Sequence, residues 1–96
     1  MQFLVIASVK PGTPEKDVIP QIRGEARAAW KLYEDEILRS VYYKADMSGA
    51  VLMMEGENLG AIEKALDSLP MIHNGLLRTE IIPLKPYNAF GKLFAK

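Results

Sequence analysis

The segment from Phe3 to Val9 is the feature that most restricts what this chain can fold into. Its β-branched and aromatic residues predict a strand. Phe3 and Val5 fall on one face of that strand, while Leu4 and Ile6 fall on the other, so both faces are apolar. A strand with this pattern has to be covered on both sides.

Two further segments carry the apolar spacing of helices. We predict a long helix from about Pro20 to Leu38 and a second helix from Leu59 to Leu69, capped by Asn58. The apolar stripe predicted for the long helix contains Ile22, Ala26, Ala29, Trp30, Tyr33 and Ile37. The stripe predicted for the second helix contains Leu59, Ile62, Leu66 and Leu69, with Ala65 beside it.

Strand composition returns at 39–45, 50–55 and 76–84, and the turn residues 46–49 join the first two of these segments into a hairpin. The resulting order is β-α-β-β-α-β. This order is typical of the ferredoxin-like α+β fold, a four-stranded antiparallel sheet with both helices on one face.

Two helices can cover only one face of four strands, and the other face is also apolar. Large exposed apolar patches are rare on soluble monomers. We therefore expect a homodimer, or a larger assembly of dimers, in which the open sheet faces meet. The C-terminal tail carries Tyr87, Phe90 and Phe94, and we expect it to pack on protein, within reach of the partner.

Composition narrows the possible functions. The 96 residues fit one domain spanning 1–96, and 12 basic and 12 acidic residues give a net charge of zero, which argues against nucleic acid and anionic membranes as partners. The chain has no Cys, one His and no glycine-rich phosphate loop, so we expect neither a metal nor a cofactor. The first apolar run is too short for a signal peptide or a membrane span, so we expect a soluble, cytoplasmic protein.

Three side chains are candidates for catalysis. Glu25 lies at the edge of the apolar stripe, where burial would raise its pKa and suit it to proton transfer; the alternative is a surface carboxylate paired with a basic residue. His73 lies in the loop before the last strand, as a general acid or base or as an ordinary loop histidine. Arg78 either holds a carboxylate or enolate in a cavity or, like Glu80 on the same strand face, takes part in a cross-strand or intersubunit ion pair.

Aromatic side chains are the candidates for substrate contact. Trp30, Tyr33 and Tyr43 would offer flat apolar surfaces with polar tips to a ligand. The alternative is that they belong to the core or to a subunit interface.

The chain resembles the muconolactone δ-isomerase-like proteins of the dimeric α+β barrel superfamily. The resemblance covers Gly24 to Tyr87 and the first strand, and it is clearest in the segment 61–71, a helix ending in Leu69-Pro70. It implies a cofactor-free proton shift within an unsaturated lactone and a large homo-oligomer, and Glu25 falls at the family's acidic helix position. The family has polar or basic residues where this chain has Leu4 and Ile6, so a less polar pocket is expected.

Three functions follow as hypotheses. The first is a small cofactor-independent isomerase that moves a proton next to a carbonyl, with Glu25 or His73 as base and Arg78 or a Tyr hydroxyl stabilising the enolate. The second is a non-catalytic module that binds a small apolar ligand or serves assembly. The third is a cofactor-free polyketide-type cyclase or oxygenase centred on His73.

Overall fold

The computed structural model describes residues 1–95. Its strands are β1 (Gln2–Val9), β2 (Leu38–Tyr43), β3 (Gly49–Glu55) and β4 (Leu77–Leu84). Its α-helices are α1 (Glu15–Val18), α2 (Ile22–Glu34), α3 (Leu59–Asp67) and α4 (Pro70–His73), and 3-10 segments cover Ile19–Gln21 and Asn88–Leu93.

The four strands form one sheet in the order β2-β3-β1-β4, with every neighbouring pair antiparallel. Strand β1 is central, and Val5 lies opposite Leu52 on one side and Ile81 on the other. The ferredoxin-like α+β fold expected from the sequence is confirmed by this topology.

The core lies between the sheet and the helices. Phe3 and Val5 of β1, Met54 of β3 and Ile62 of α3 have less than 2% of their surface accessible. Because Phe3 and Val5 point to the helices, the alternate residues Leu4 and Ile6 point away from them. The structure thus settles which face of β1 is covered by the helices.

The buried side of α2 differs from the predicted stripe. The side chains that pack against the core are Leu32, Ala28 and Ala29, whereas Trp30 is 61% exposed and Tyr33 is 52% exposed. The predicted stripe was therefore wrong for most of its members. The helix is apolar on two sides, and the smaller residues face the sheet because they allow the helix to approach it closely.

Helix α2 also ends four residues earlier than predicted. Glu36 has a positive φ of 62°, its N–H bonds to the Tyr33 carbonyl, and the Ile37 N–H bonds to the Leu32 carbonyl. This pair of hydrogen bonds is the Schellman arrangement, in which a left-handed residue closes the helix. It reverses the chain and directs Leu38 into the core as the first residue of β2.

The C-terminal tail does not pack on its own chain. Tyr87 and Phe90 contact each other edge to face at 4.9 Å, yet they are 73% and 65% exposed. The radius of gyration is 15.6 Å, against about 12 Å for a compact chain of this length, and the longest dimension is 61 Å. Packing of the tail on a second copy remains a prediction.

We predict that Glu36→Gly stabilises the protein, because glycine adopts a positive φ without the steric conflict of a Cβ. The free energy of unfolding should rise by roughly 0.5–1 kcal/mol, and the melting temperature should rise by a few degrees. Glu34→Gly is the matched control: it lies in the right-handed last turn of α2, so it should lower the melting temperature. Thermal unfolding measures the melting temperature of both variants, and an equal decrease in the two would contradict the prediction.

Candidate functional site

No other element within residues 1–95 covers the face of the sheet opposite the helices, and we call this face the open face. Residues that pair across the strands share this face, so the register defines its members. Its centre is apolar, with Leu4, Ile6, Val51, Met53 and Ile82. Its margins carry Ser40, Tyr42, Ser8, Arg78 and Glu80.

One end of the open face is polar. The Lys44 Nζ donates to the Ser8 Oγ at 2.6 Å, in a partly buried contact that spans from the end of β2 to β1. Gly49 of β3 lies between them, paired with Ser8 and bonded through its carbonyl to the Lys44 N–H. A Cβ at Gly49 would overlap the carbonyl oxygen of Ala7. Glycine is therefore needed at this position, and no side chain stands between Lys44 and Ser8.

Arg78 extends this polar row. It is exposed, lies directly opposite Ser8 in the β1–β4 pair, and is followed two residues later on the same face by Glu80. Within residues 1–95 the ion pair between fully charged side chains is Lys31 with Asp35, and His73 lies near Asp67, a contact that is ionic only when the imidazole is protonated. Neither Arg78 nor Glu80 makes an ion pair within these residues, so the cross-strand form of the predicted pair is absent from them and its intersubunit form stays a prediction.

Glu25 lies on the other side of the sheet, in the helix layer. One helical turn separates it from Ala28 and Ala29, so it shares the inward side of α2 and is half-buried. Its Oε1 accepts a hydrogen bond of 2.9 Å from the N–H of Met71, in the first turn of α4. Burial raises the pKa of Glu25 above its ordinary value, and the Met71 hydrogen bond opposes this rise more weakly.

His73 is the last residue of α4. Its Nδ1 lies 3.3 Å from Asp67 Oδ1, and the two side chains are 64% and 68% exposed. Asn74, the next residue, donates through its side chain to Gln21. His73 therefore contacts a carboxylate at the surface of the helix layer, and that carboxylate lies only six residues away in sequence.

The predicted substrate-contacting aromatics also lie away from the open face. Trp30 and Tyr33 stack at 5.5 Å on the outer side of α2, and Tyr43 is 72% exposed at the end of β2. A shallow surface cleft beside the edge of β2 is lined by Trp30, Tyr33, Glu34, Glu36, Leu38 and Arg39. Tyr42, by contrast, has a strand register that places it on the open face.

The sheet therefore separates the predicted catalytic residues. Glu25 and His73 belong to the helix layer, whereas Arg78 belongs to the open face. Sequence reasoning did not find Lys44 and Ser8. A register prediction for β1 and β4 would have put Ser8 opposite Arg78, but the approach of Lys44 depends on how the β2–β3 hairpin closes.

No group of three or more His, Asp or Glu side chains within 1–95 is placed to hold a metal ion. None of the helices described above is long and apolar enough to cross a bilayer.

We predict that Glu25→Gln removes a pH-dependent part of the stability. A carboxyl group with a raised pKa binds its proton more tightly when folded, so its contribution is full below the unfolded pKa near 4.5 and is lost as the pH rises. The amide keeps an oxygen acceptor for Met71 without the charge. The variant should therefore gain stability relative to the parent protein between about pH 4 and pH 7.

Denaturant unfolding at several pH values measures this difference, with Glu63→Gln on the exposed side of α3 as the control. Glu25→Ala removes the acceptor and should lower the free energy of unfolding by about 1 kcal/mol at every pH. If the free energy of unfolding of the parent protein rises relative to that of Glu25→Gln as the pH rises, the result contradicts this role for burial.

Comparison with known proteins supports the fold and leaves the family open. No protein-family profile matches the chain, and no curated protein matches it. A solved structure does match: 5-chloro-2-hydroxyhydroquinone dehydrochlorinase (TftG) from Burkholderia phenoliruptrix AC1100, in complex with 2,5-dihydroxybenzoquinone. The TM-score is 0.75 at 20% identity, over 88% of this chain and 94% of that one. The likeness supports the ferredoxin-like fold, and it does not bear on the muconolactone isomerases in particular.

Proposed function

We propose that this protein is a self-associating, cofactor-independent enzyme of the isomerase kind, whose substrate cavity forms between the open faces of two copies. The observation that carries the proposal is the open face itself. It is apolar at its centre, polar at one end, and covered by no element of its own chain. A cavity lined mostly by apolar groups with a few converging polar ones is the usual form of a small-molecule site.

A second copy of this chain is the occupant that best fits the open face. The chain has zero net charge, so two copies do not repel strongly. The tail offers further contact area, since Tyr87, Phe90 and Phe94 are exposed and project from the body of the molecule. An interface of about 1,600 Å² is typical of a stable pair.

The chemistry we propose is the movement of a proton next to a carbonyl. Glu80 takes the proton from the carbon, the electron pair moves to the carbonyl oxygen, and Arg78 stabilises the resulting enolate. Glu80 then returns the proton to a second carbon of the conjugated system. Both side chains lie on the same face of β4, two residues apart.

This assignment gives Glu25 and His73 other roles. Glu25 holds the start of α4 through the Met71 N–H, and His73 interacts with Asp67 at the surface. The positions of these two residues favour a second candidate function, a non-catalytic module that binds a small ligand. A cyclase or oxygenase centred on His73 finds no support in its exposed position.

We predict that Ile6→Glu converts the assembly into a folded monomer. Ile6 lies at the centre of the open face, and a charge there would have to be buried without a partner on association. Ile19→Glu is the matched control, because Ile19 is 61% exposed in the helix layer and should leave the assembly intact. Light scattering after gel filtration gives the mass, and circular dichroism confirms folding. A parent protein that is monomeric at micromolar concentration would contradict the proposal.

We predict that the protein accelerates exchange of the proton next to the carbonyl in a small unsaturated lactone dissolved in D₂O, followed by proton NMR. Glu80→Gln should lower the exchange rate by roughly 10²–10⁴-fold, and Glu63→Gln should leave it unchanged. 2,5-Dihydroxybenzoquinone, the compound in the TftG complex, serves as a binding probe for the same cavity. Binding of the quinone without any exchange would favour the non-catalytic module.

A further inference from the structure

We propose that Ser8, Lys44 and Arg78 form an anion-binding subsite at the polar end of the open face, which takes the carboxylate or enolate oxygen of a small, partly apolar molecule. The inference deepens the proposed function and rests on it in one respect, namely that ligands bind on the open face. Lys44 and Ser8 are the members of this subsite that the proton transfer described above does not name.

The Lys44 ammonium group is held in place rather than free in solvent. Its hydrogen bond of 2.6 Å to the Ser8 Oγ crosses the strand position of Gly49, and both partners are half-buried. An ammonium group has three donors, and this contact uses one of them. The remaining donors can bind an anion on the open face without reorganisation of the side chain.

Arg78 approaches the same point from the opposite strand. Residues directly opposed in an antiparallel pair have Cβ atoms about 4.5–5.5 Å apart, so the side chain of Arg78 starts beside that of Ser8. A guanidinium group binds a carboxylate through two parallel hydrogen bonds. Two cations therefore flank one hydroxyl, which is an arrangement suited to an oxyanion.

The acidic groups near this row leave the cations available. Glu80 lies on the same face, opposite Ile6, and makes no ion pair with Arg78 within the chain. Asp46 follows Lys44 in the turn, where hydrogen bonds from the Ser48 hydroxyl and amide lower its pKa, with a smaller effect from the Lys44 charge. Asp46 is thus engaged by Ser48.

The next row of the open face supplies the apolar part of the site. Tyr42, Val51 and Ile6 lie side by side across β2, β3 and β1, two residues further along the strands than Lys44, Gly49 and Ser8. Two residues correspond to about 6.5–7 Å, the width of one six-membered ring. A ligand whose anionic group binds the polar row therefore places its ring on Ile6 and Val51, beside the Tyr42 ring.

The test compares benzoate with benzamide, which share a ring and differ in charge. Titrations followed by protein NMR should show that the parent protein binds benzoate about tenfold more tightly than benzamide, as expected for a charge-assisted contact. Lys44→Met and Arg78→Gln should each abolish most of that preference and leave benzamide binding unchanged. Lys64→Met on α3 and Arg23→Gln on α2, both exposed, are the matched controls.

The oligomeric mass, measured on the same samples, separates the two proposals. A monomer that still prefers benzoate would contradict the proposed self-association and leave the subsite standing. An assembly that binds both probes equally, or neither of them, would overturn the subsite. The same conclusion would follow if Arg78→Gln weakened the assembly while the benzoate preference persisted, because Arg78 would then be an interface residue.

Discussion

The central strand β1 is the constraint on which the rest of the structure depends. Its residues are apolar on both faces, and its neighbours β3 and β4 leave it no edge. Phe3 and Val5 anchor the helices by burying large side chains, each contributing about 1.5–3 kcal/mol. Leu4 and Ile6 point to the other face, which no element within residues 1–95 covers. The same strand therefore stabilises the helix layer and carries the apolar surface on which the proposed self-association rests.

The polar end of the open face follows from the geometry of the β2–β3 hairpin. Gly49 begins β3 at a point where any side chain would overlap the Ala7 carbonyl. Glycine at this position lets β3 and β1 approach closely. The missing side chain also leaves the space that the Lys44 side chain crosses to reach Ser8. A requirement of backbone packing thus places a cation on an otherwise apolar surface.

The order of strands and main helices along the chain was predictable from the sequence because it rests on local signals, such as the apolar composition of β1 and the Asn58 cap, whose side chain accepts from the Ala61 N–H. The inward side of α2 was not predictable, because the helix is apolar on two sides. Whether Leu32 or Trp30 is buried depends on how closely the helix packs on the sheet.

The candidate site was less predictable than the fold for the same kind of reason. Arg78 could be placed on a strand face from alternation alone, whereas the partner of Glu25 is 46 residues away in sequence and is a backbone N–H. The residue types of a sequence do not indicate which backbone N–H will donate to a given carboxylate. Burial raises the pKa of Glu25, as expected from its place on the helix, while the unforeseen hydrogen bond from the Met71 N–H opposes that rise.

The edges of the sheet explain why association should occur through the open face. A sheet can also associate edge to edge, through the free backbone groups of β2 and β4. In β4, Pro83 lacks an N–H and so interrupts the row of donors along that edge. In β2, the register shifts between Leu38 and Ser40, and such an irregularity twists an edge away from a regular partner. With both edges disfavoured, burial of Leu4 and Ile6 is the main driving force left, and it acts perpendicular to the sheet.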